Sequence, residues 1–186
     1  MSWDDDENMQ SADEANTGSD ELLADDNLRL PESASILVRI HAVRAWLARR
    51  LREVEEEIGE EALEMQLAMR EAEEFSITRP RRRGPVNERL QRAQQALSVA
   101  QEKLRGYEEA QKLFEECVDH VTAGERVLVE YYLTLDNLLL DLRTRSEQSV
   151  QGVQDVQGVM NHAPTYLGAI ADVQHRIEYV VTPEEE

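Results

Sequence analysis

The stretch "ITRPRRRGPVNERL", residues 77–90, decides the fold because it separates two long apolar patterns. Pro80 disfavours helical conformation at Arg79, and Gly84 followed by proline is strong turn punctuation. Two long helices on either side of a short interruption fold back on each other as an antiparallel hairpin. The stretch therefore predicts a turn at 79–85 between two antiparallel helices.

Upstream of this turn, apolar residues recur at helical spacing, with Ser33 or Ser35 as a candidate N-cap. The steps of 4-3-4-4-3-4-4-3-4 form an eleven-residue repeat, which keeps the stripe on one side of a nearly straight helix. The pattern predicts a helix that continues to about Ile77. Its stripe consists of Ile36, Ile40, Val43, Leu47, Leu51, Val54, Ile58, Ala62, Met65 and Met69.

Downstream of the turn, the apolar residues follow a heptad, the spacing of a coiled coil. They are Val86, Leu90, Ala93, Leu97, Ala100, Leu104, Tyr107, Phe114, Val118 and Val121. The same phase continues to Met160, which favours one helix from Val86 to about Gln148, bent at Gly124. A break at "VTAGER", residues 121–126, is the alternative and would give a three-helix bundle.

The stretch "RVLVEYYLTLDNLLLDL", residues 126–142, is apolar over more than one helical face. A helix of this kind is buried on several sides. It either lies at the centre of a bundle against the last helix of the chain, or it forms an oligomer or partner interface. We predict as interface residues Leu128, Tyr131, Tyr132, Leu135, Leu138, Leu139 and Leu142, together with Trp46 at the edge of the first seam.

The two ends of the chain differ from this central part. Residues 1–30 hold ten acidic residues against Arg29 alone, which is typical of a disordered acidic tail. Such a tail is solubilising, docks on a basic partner, or folds back onto the protein's own arginines. Residues 149–186 hold a weak linker, a short helix over about 165–181 and an acidic end. The short helix carries apolar residues at one-face spacing, namely Leu167, Ile170, Val173 and Ile177. We therefore expect an all-α protein, with residues 31–148 as an elongated antiparallel coiled-coil hairpin or helical bundle.

The positive charge gathers at the predicted tip of the hairpin, although the chain has a formal net charge of −19. The arginines there can bind an acidic partner or the acidic tail, or phosphates of nucleic acid or a membrane surface. Alternatively, they pair with nearby glutamates of the same helix. The candidate binding residues are Arg79, Arg81, Arg82, Arg83, Arg89 and Arg92. A second basic cluster, around Trp46, consists of Arg39, Arg44, Arg49, Arg50 and Arg52.

The sequence carries no catalytic motif. Phosphate-binding loops, nucleophile elbows and zinc-protease motifs are absent. Cys117, Asp119 and His120 are close together, but 119 turns away from the other two on a helix, so we expect neither a metal nor another cofactor. With one cysteine, no signal-peptide pattern and no apolar run of membrane-spanning length, the interpretation is a cytoplasmic protein.

These patterns predict a non-enzymatic structural or adaptor protein that binds no small-molecule substrate. It would act by coiled-coil assembly through residues 127–142, as a homo-oligomer or in a complex with another protein. The arginine tip and the acidic tail would make weaker contacts. The alternative is a protein that associates with nucleic acid or an anionic surface through the arginine tip.

Overall fold

The computed structural model describes residues 23–26, 28–31, 33–78, 84–121, 124–152 and 163–181. Four long helices account for most of them, and no described residue lies in a strand. The all-α class is therefore confirmed. The helices are α1 (Ile36–Thr78), α2 (Gly84–His120), α3 (Gly124–Gly152) and α4 (Ala163–Val181).

Helix α1 begins where its capping residue predicts. The hydroxyl oxygen of Ser35 accepts a hydrogen bond from the backbone N–H of Val38 at 3.4 Å. This is the bond from an N-cap side chain to the third helical residue, which satisfies one of the free N–H groups at a helix start. Of the two candidate caps, the residue that acts is Ser35.

Helices α1 and α2 run antiparallel, as their ion pairs demonstrate. Arg44 near the start of α1 binds Glu115 near the end of α2 at 2.6 Å. Further along α1, Glu57 binds Lys103 at 2.8 Å. Because α2 begins at Gly84, that glycine and the proline after it belong to a first helical turn and not to the predicted turn. Residues 79–83 lie outside the described part of the chain.

The seam of α1 differs from the predicted stripe at its far end. Met69 is 46% exposed, whereas Ala68 is fully buried. Val54, also buried, lies fourteen residues before Ala68, which is two seven-residue repeats. The eleven-residue repeat is therefore wrong here, because a helix that follows a neighbour along its length keeps a seven-residue period. On α2 the heptad residues Ala93 and Ala100 are buried as predicted.

The prediction of one helix from Val86 to Gln148 is wrong, because α2 ends at His120 and α3 begins at Gly124. The chain reverses between them, since the hydroxyl of Tyr131 donates to the carbonyl of Ala110 at 2.6 Å. A continued heptad phase does not exclude a turn. Because of this reversal, α2 as well as α1 packs against α3, and more of the surface of α3 is buried than α1 alone could cover.

Helix α4 completes the core. It runs antiparallel to α3, because Tyr132 donates to Glu178 at 2.8 Å and Gln174 donates to Asp136 at 3.2 Å. Its predicted apolar face is confirmed, since Ile170, Val173 and Ile177 are buried. The largest fully buried side chains come from all four helices: Leu47, Val43 and Val54 of α1, Phe114 of α2, Tyr131, Leu128 and Leu135 of α3, and Ile170, Ile177, Val173 and Val180 of α4.

The residues just before α1 pack against this core. We call the described residues 23–26 and 28–31 the N-terminal segment. Ala24 is 2% exposed, and Leu30 packs against the core cluster. Part of the predicted acidic tail, residues 1–30, therefore has a defined position, because its apolar residues pack against the core. Residues 1–22 lie outside the described part.

Candidate protein-binding surfaces

The interface predicted on α3 falls mostly on residues that the chain covers itself. Leu128, Tyr131, Leu135 and Leu139 are at most 4% exposed. The ring of Tyr131 meets Phe114 edge-on, with 5.1 Å between the centroids. Burial raises the pKa of Tyr131 above its usual value, as expected for a phenol removed from water. These four residues stabilise the fold, which corrects their assignment to a surface that is free in the single chain.

The other residues of the predicted interface lie at the edge of the core. Leu138 packs against the core cluster, and Leu142 is half-buried. Tyr132 is also half-buried and donates its hydroxyl hydrogen to Glu178 on α4. Trp46 is 2% exposed and meets Tyr107 edge-on, at 6.3 Å between centroids. Trp46 is thus a core residue of the chain rather than an exposed contact.

A different face of α3 carries exposed apolar residues beside the exposed Asp136. Val129 and Leu133 are each 49% exposed, and Leu140 is 64% exposed. Their spacing of four and then seven residues places them on one side of the helix. We call these three residues the outer row. The sequence signal for them was the apolar coverage of more than one face, but it did not distinguish the covered face from the exposed one.

Exposed apolar side chains also occur where α1 and α2 extend beyond the core cluster. The cluster ends at Ile58 on α1 and at Leu104 on α2. Past that point Leu63 and Leu67, one helical turn apart, are 59% and 46% exposed. Two such residues form a smaller apolar surface than the outer row does.

The predicted arginine tip lies partly outside the described residues, namely at Arg79, Arg81, Arg82 and Arg83. Arg89 binds Glu64 at 2.7 Å and Glu71 at 2.6 Å, and its hydrogen bond with Glu64 raises the pKa of the guanidinium. Arg92 donates to the carbonyl oxygen of Glu88 at 3.4 Å. Arg89 therefore links α1 to α2 and is already neutralised by the chain's own carboxylates.

A second group of arginines converges on the N-terminal segment. The Oδ1 atom of Asp26 accepts hydrogen bonds from Trp46 Nε1 at 2.6 Å and from Arg49 Nη2 at 2.5 Å. Arg50 Nη2 lies 3.1 Å from the same oxygen. The expectation that the acidic tail folds back onto the protein's own arginines is thus met at Asp26, although by the arginines of α1 and not by the tip.

Arg176 of α4 lies beside this group and is 3% exposed. Its Nη1 atom donates to the backbone carbonyls of Asp26 and Leu28, both at 3.1 Å. Burial lowers the pKa of Arg176, the direction expected when a cation is removed from water. The sequence did not single out Arg176, because one arginine on a short helix resembles any surface charge.

A small cleft of about 200 Å³ opens at this place. Its lining includes Asp26, Trp46, Arg50, Asp172 and Arg176. The carboxylate of Asp172 accepts a hydrogen bond from the hydroxyl of Tyr107 at 2.6 Å. Burial, together with this hydrogen bond, raises the pKa of Tyr107 above its usual value. Cations and carboxylates therefore share one partly enclosed site.

The described residues contain neither a metal-binding cluster nor a membrane-spanning helix. No three histidine, cysteine, aspartate or glutamate side chains in this part of the chain gather in a way that could hold a metal ion. Of the helices it contains, none combines the length and the apolar character needed to cross a membrane. Comparisons of the chain with protein-family models, curated proteins and solved structures find no match.

Proposed function

We propose that this is a non-enzymatic structural or adaptor protein that assembles through the outer row of α3. The observation that carries the proposal is the exposure of Val129, Leu133 and Leu140 on one face of a helix whose opposite face is buried. Removing such a row from water favours association, and a second helix is the simplest surface that fits it. The proposal keeps assembly through residues 127–142 and moves the contact to the exposed face.

The occupant we propose for the outer row is a second copy of the chain. In an antiparallel pair of α3 helices, Leu133 of one copy faces Leu140 of the other, and Val129 lies at each end of this contact. The same register places Glu130 opposite the partner's Arg143. Opposite charges at the rim fix the orientation of such a pair.

The expected dimer is modest in strength. Three exposed side chains and their rim make a small contact, whereas stable interfaces generally exceed roughly 1,000 Å² of buried surface. We therefore expect an equilibrium between monomer and dimer that depends on concentration. Because the contact is largely apolar, added salt should not weaken it, in contrast with binding through arginines.

The test replaces two residues of the outer row by glutamate in the full-length chain. The double variant Leu133→Glu, Leu140→Glu should be monomeric by light scattering at concentrations where the unchanged chain is dimeric, because each copy would place charges in the apolar contact. The matched control is Gln94→Glu, Gln101→Glu, which adds the same charge at exposed positions of α2. An unchanged chain that is monomeric throughout, or a double variant that still dimerises, contradicts the proposal.

Within this proposal, α1 and α2 form the antiparallel coiled-coil hairpin that carries the core, and the protein acts in the cytoplasm. The buried alanines Ala68, Ala93 and Ala100 at heptad spacing support close pairing of the two helices. The alternative, binding of polyanions through the arginine tip, loses support because Arg89 is occupied by Glu64 and Glu71. We therefore do not propose it.

A further inference from the structure

The N-terminal segment covers a cationic site made by two helices. Arg49 and Arg50 come from α1 and Arg176 comes from α4. Asp26 provides one carboxylate oxygen for Arg49, Arg50 and the indole N–H of Trp46. A single oxygen that accepts from two donors and forms an ion pair with a third group is a strong anchor, because charge-assisted hydrogen bonds exceed neutral ones in strength.

The segment nevertheless leaves Arg176 incompletely bound. The Nε and Nη2 atoms of Arg176 are buried and have no hydrogen-bond partner within the described structure, while Nη1 holds two backbone carbonyls. The Nε and Nη2 groups form the guanidinium edge that binds a carboxylate through two parallel hydrogen bonds. A buried charge without such a partner is unfavourable, so the segment is an imperfect occupant of this site.

The other charges at the site do not compensate for this. Glu53 binds both Arg49 and Arg50, at 3.3 Å and 2.9 Å. Asp172 lies 3.9 Å from Arg50 Nε and already accepts the hydrogen bond from Tyr107. Without Asp26, three guanidinium groups would therefore face two carboxylates. In a chain with a net charge of −19, such a local excess of positive charge would attract an acidic ligand.

The segment also demonstrates what kind of ligand fits. It is a short peptide in which an acidic residue is flanked by apolar ones: Ala24 is 2% exposed, and Leu30 packs against the core cluster. Arg29 within it lies over the ring of Tyr179, 4.9 Å from the centroid. The site thus recognises a carboxylate together with apolar side chains on either side of it.

We propose that this site binds an acidic peptide segment of a partner protein, and that the N-terminal segment is the intramolecular occupant which the partner displaces. The partner's peptide presents a carboxylate at the position of Asp26 and a second carboxylate to the Nε–Nη2 edge of Arg176. It gains the paired hydrogen bonds that the chain's own segment does not make. Displacement frees residues 23–31 for contacts elsewhere.

The experiment uses the full-length chain and a fluorescent synthetic peptide, "ELLADDNLRLPES", with the sequence of residues 21–33. In the unchanged chain the tethered segment competes at an effective concentration in the millimolar range, so the added peptide binds weakly. The variant Asp26→Asn weakens the tethered competitor. It should bind the peptide about tenfold more tightly by fluorescence anisotropy, and salt should reduce this binding.

Three controls make the result decisive. The variant Asp141→Asn changes an exposed aspartate elsewhere and should bind as the unchanged chain does. A peptide with asparagine at the position of Asp26 should lose the gain in affinity. Adding Arg50→Gln to Asp26→Asn should also abolish it, and circular dichroism shows whether each variant is folded. A folded Asp26→Asn chain that binds the peptide no better than the unchanged chain overturns the proposal.

Discussion

At the residue scale, Gly106 lies at a close approach of two helices. A Cβ atom at Gly106 of α2 would lie 2.7 Å from the Cβ of Ala169 and 2.9 Å from the carbonyl oxygen of Tyr166, both on α4. The backbone oxygen cannot rotate away as a side chain would. We therefore expect Gly106→Ala to lower the free energy of unfolding by about 1–3 kcal/mol, as measured by urea denaturation.

Gly59 provides the matched control, because a Cβ there would meet nothing within 4 Å. In the interior of an exposed helix, alanine is more favourable than glycine by about 1 kcal/mol, so Gly59→Ala should stabilise the protein by roughly that amount. The same chemical change thus has opposite signs at the two positions. A stabilising Gly106→Ala would mean that α2 and α4 do not approach each other in this way.

At the element scale, α3 carries a buried face and an exposed one, and single truncations distinguish them. Leu135 is fully buried, whereas Leu133 is 49% exposed. Leu135→Ala should lower the free energy of unfolding by about 2–5 kcal/mol, because it removes buried methyl groups and leaves a cavity. Leu133→Ala should change it by less than about 1 kcal/mol when measured at concentrations where the chain is monomeric. Equal losses would contradict the orientation of α3.

Some features of the helices follow from the sequence alone, and others do not. The cap of α1, predicted at Ser33 or Ser35, and the apolar face of α4 follow from local capping and periodicity. The break before Gly124 was not favoured, because the heptad phase happens to continue across it. Periodicity also indicates how many faces of a helix are apolar, but not which other helix packs against each face. The packing of the other helices decides that Leu135 is covered and Leu140 is not.

The candidate sites differ in the same way. The outer row lies within the stretch that is apolar over more than one face. The sequence could therefore predict an apolar contact surface on this helix, but not which residues remain exposed. Arg49 and Arg50 were recognised as a cluster beside Trp46. Their convergence with Arg176 could not be predicted, because more than 120 residues of chain separate Arg176 from Arg50. Long-range neighbours depend on tertiary packing, which a local pattern does not encode.

At the scale of the whole molecule, buried phenols make folding sensitive to alkaline pH. The pKa values of Tyr107 and Tyr131 are raised above the usual 10.0, in both cases mainly by burial. Above about pH 10 the unfolded chain loses these protons while the folded chain keeps them. The stabilisation is therefore complete below pH 10 and decreases as the pH rises toward the folded-state pKa values. Urea denaturation between pH 8 and pH 11 should show this decrease.

The variant Tyr131→Phe tests the origin of that decrease, because phenylalanine does not titrate. Each buried phenol contributes at most about 1.4 kcal/mol per pH unit above its unfolded pKa, so the variant should lose stability less steeply above pH 10. At pH 7 it should be less stable by about 1 kcal/mol, since the hydrogen bond to the carbonyl of Ala110 is lost. The other four tyrosines and the two lysines, Lys103 and Lys112, also titrate in this range, but they are present in both proteins. Cys117, whose pKa burial also raises, is likewise present in both proteins. An identical alkaline slope in the variant and the unchanged chain would mean that Tyr131 is not buried as a neutral phenol.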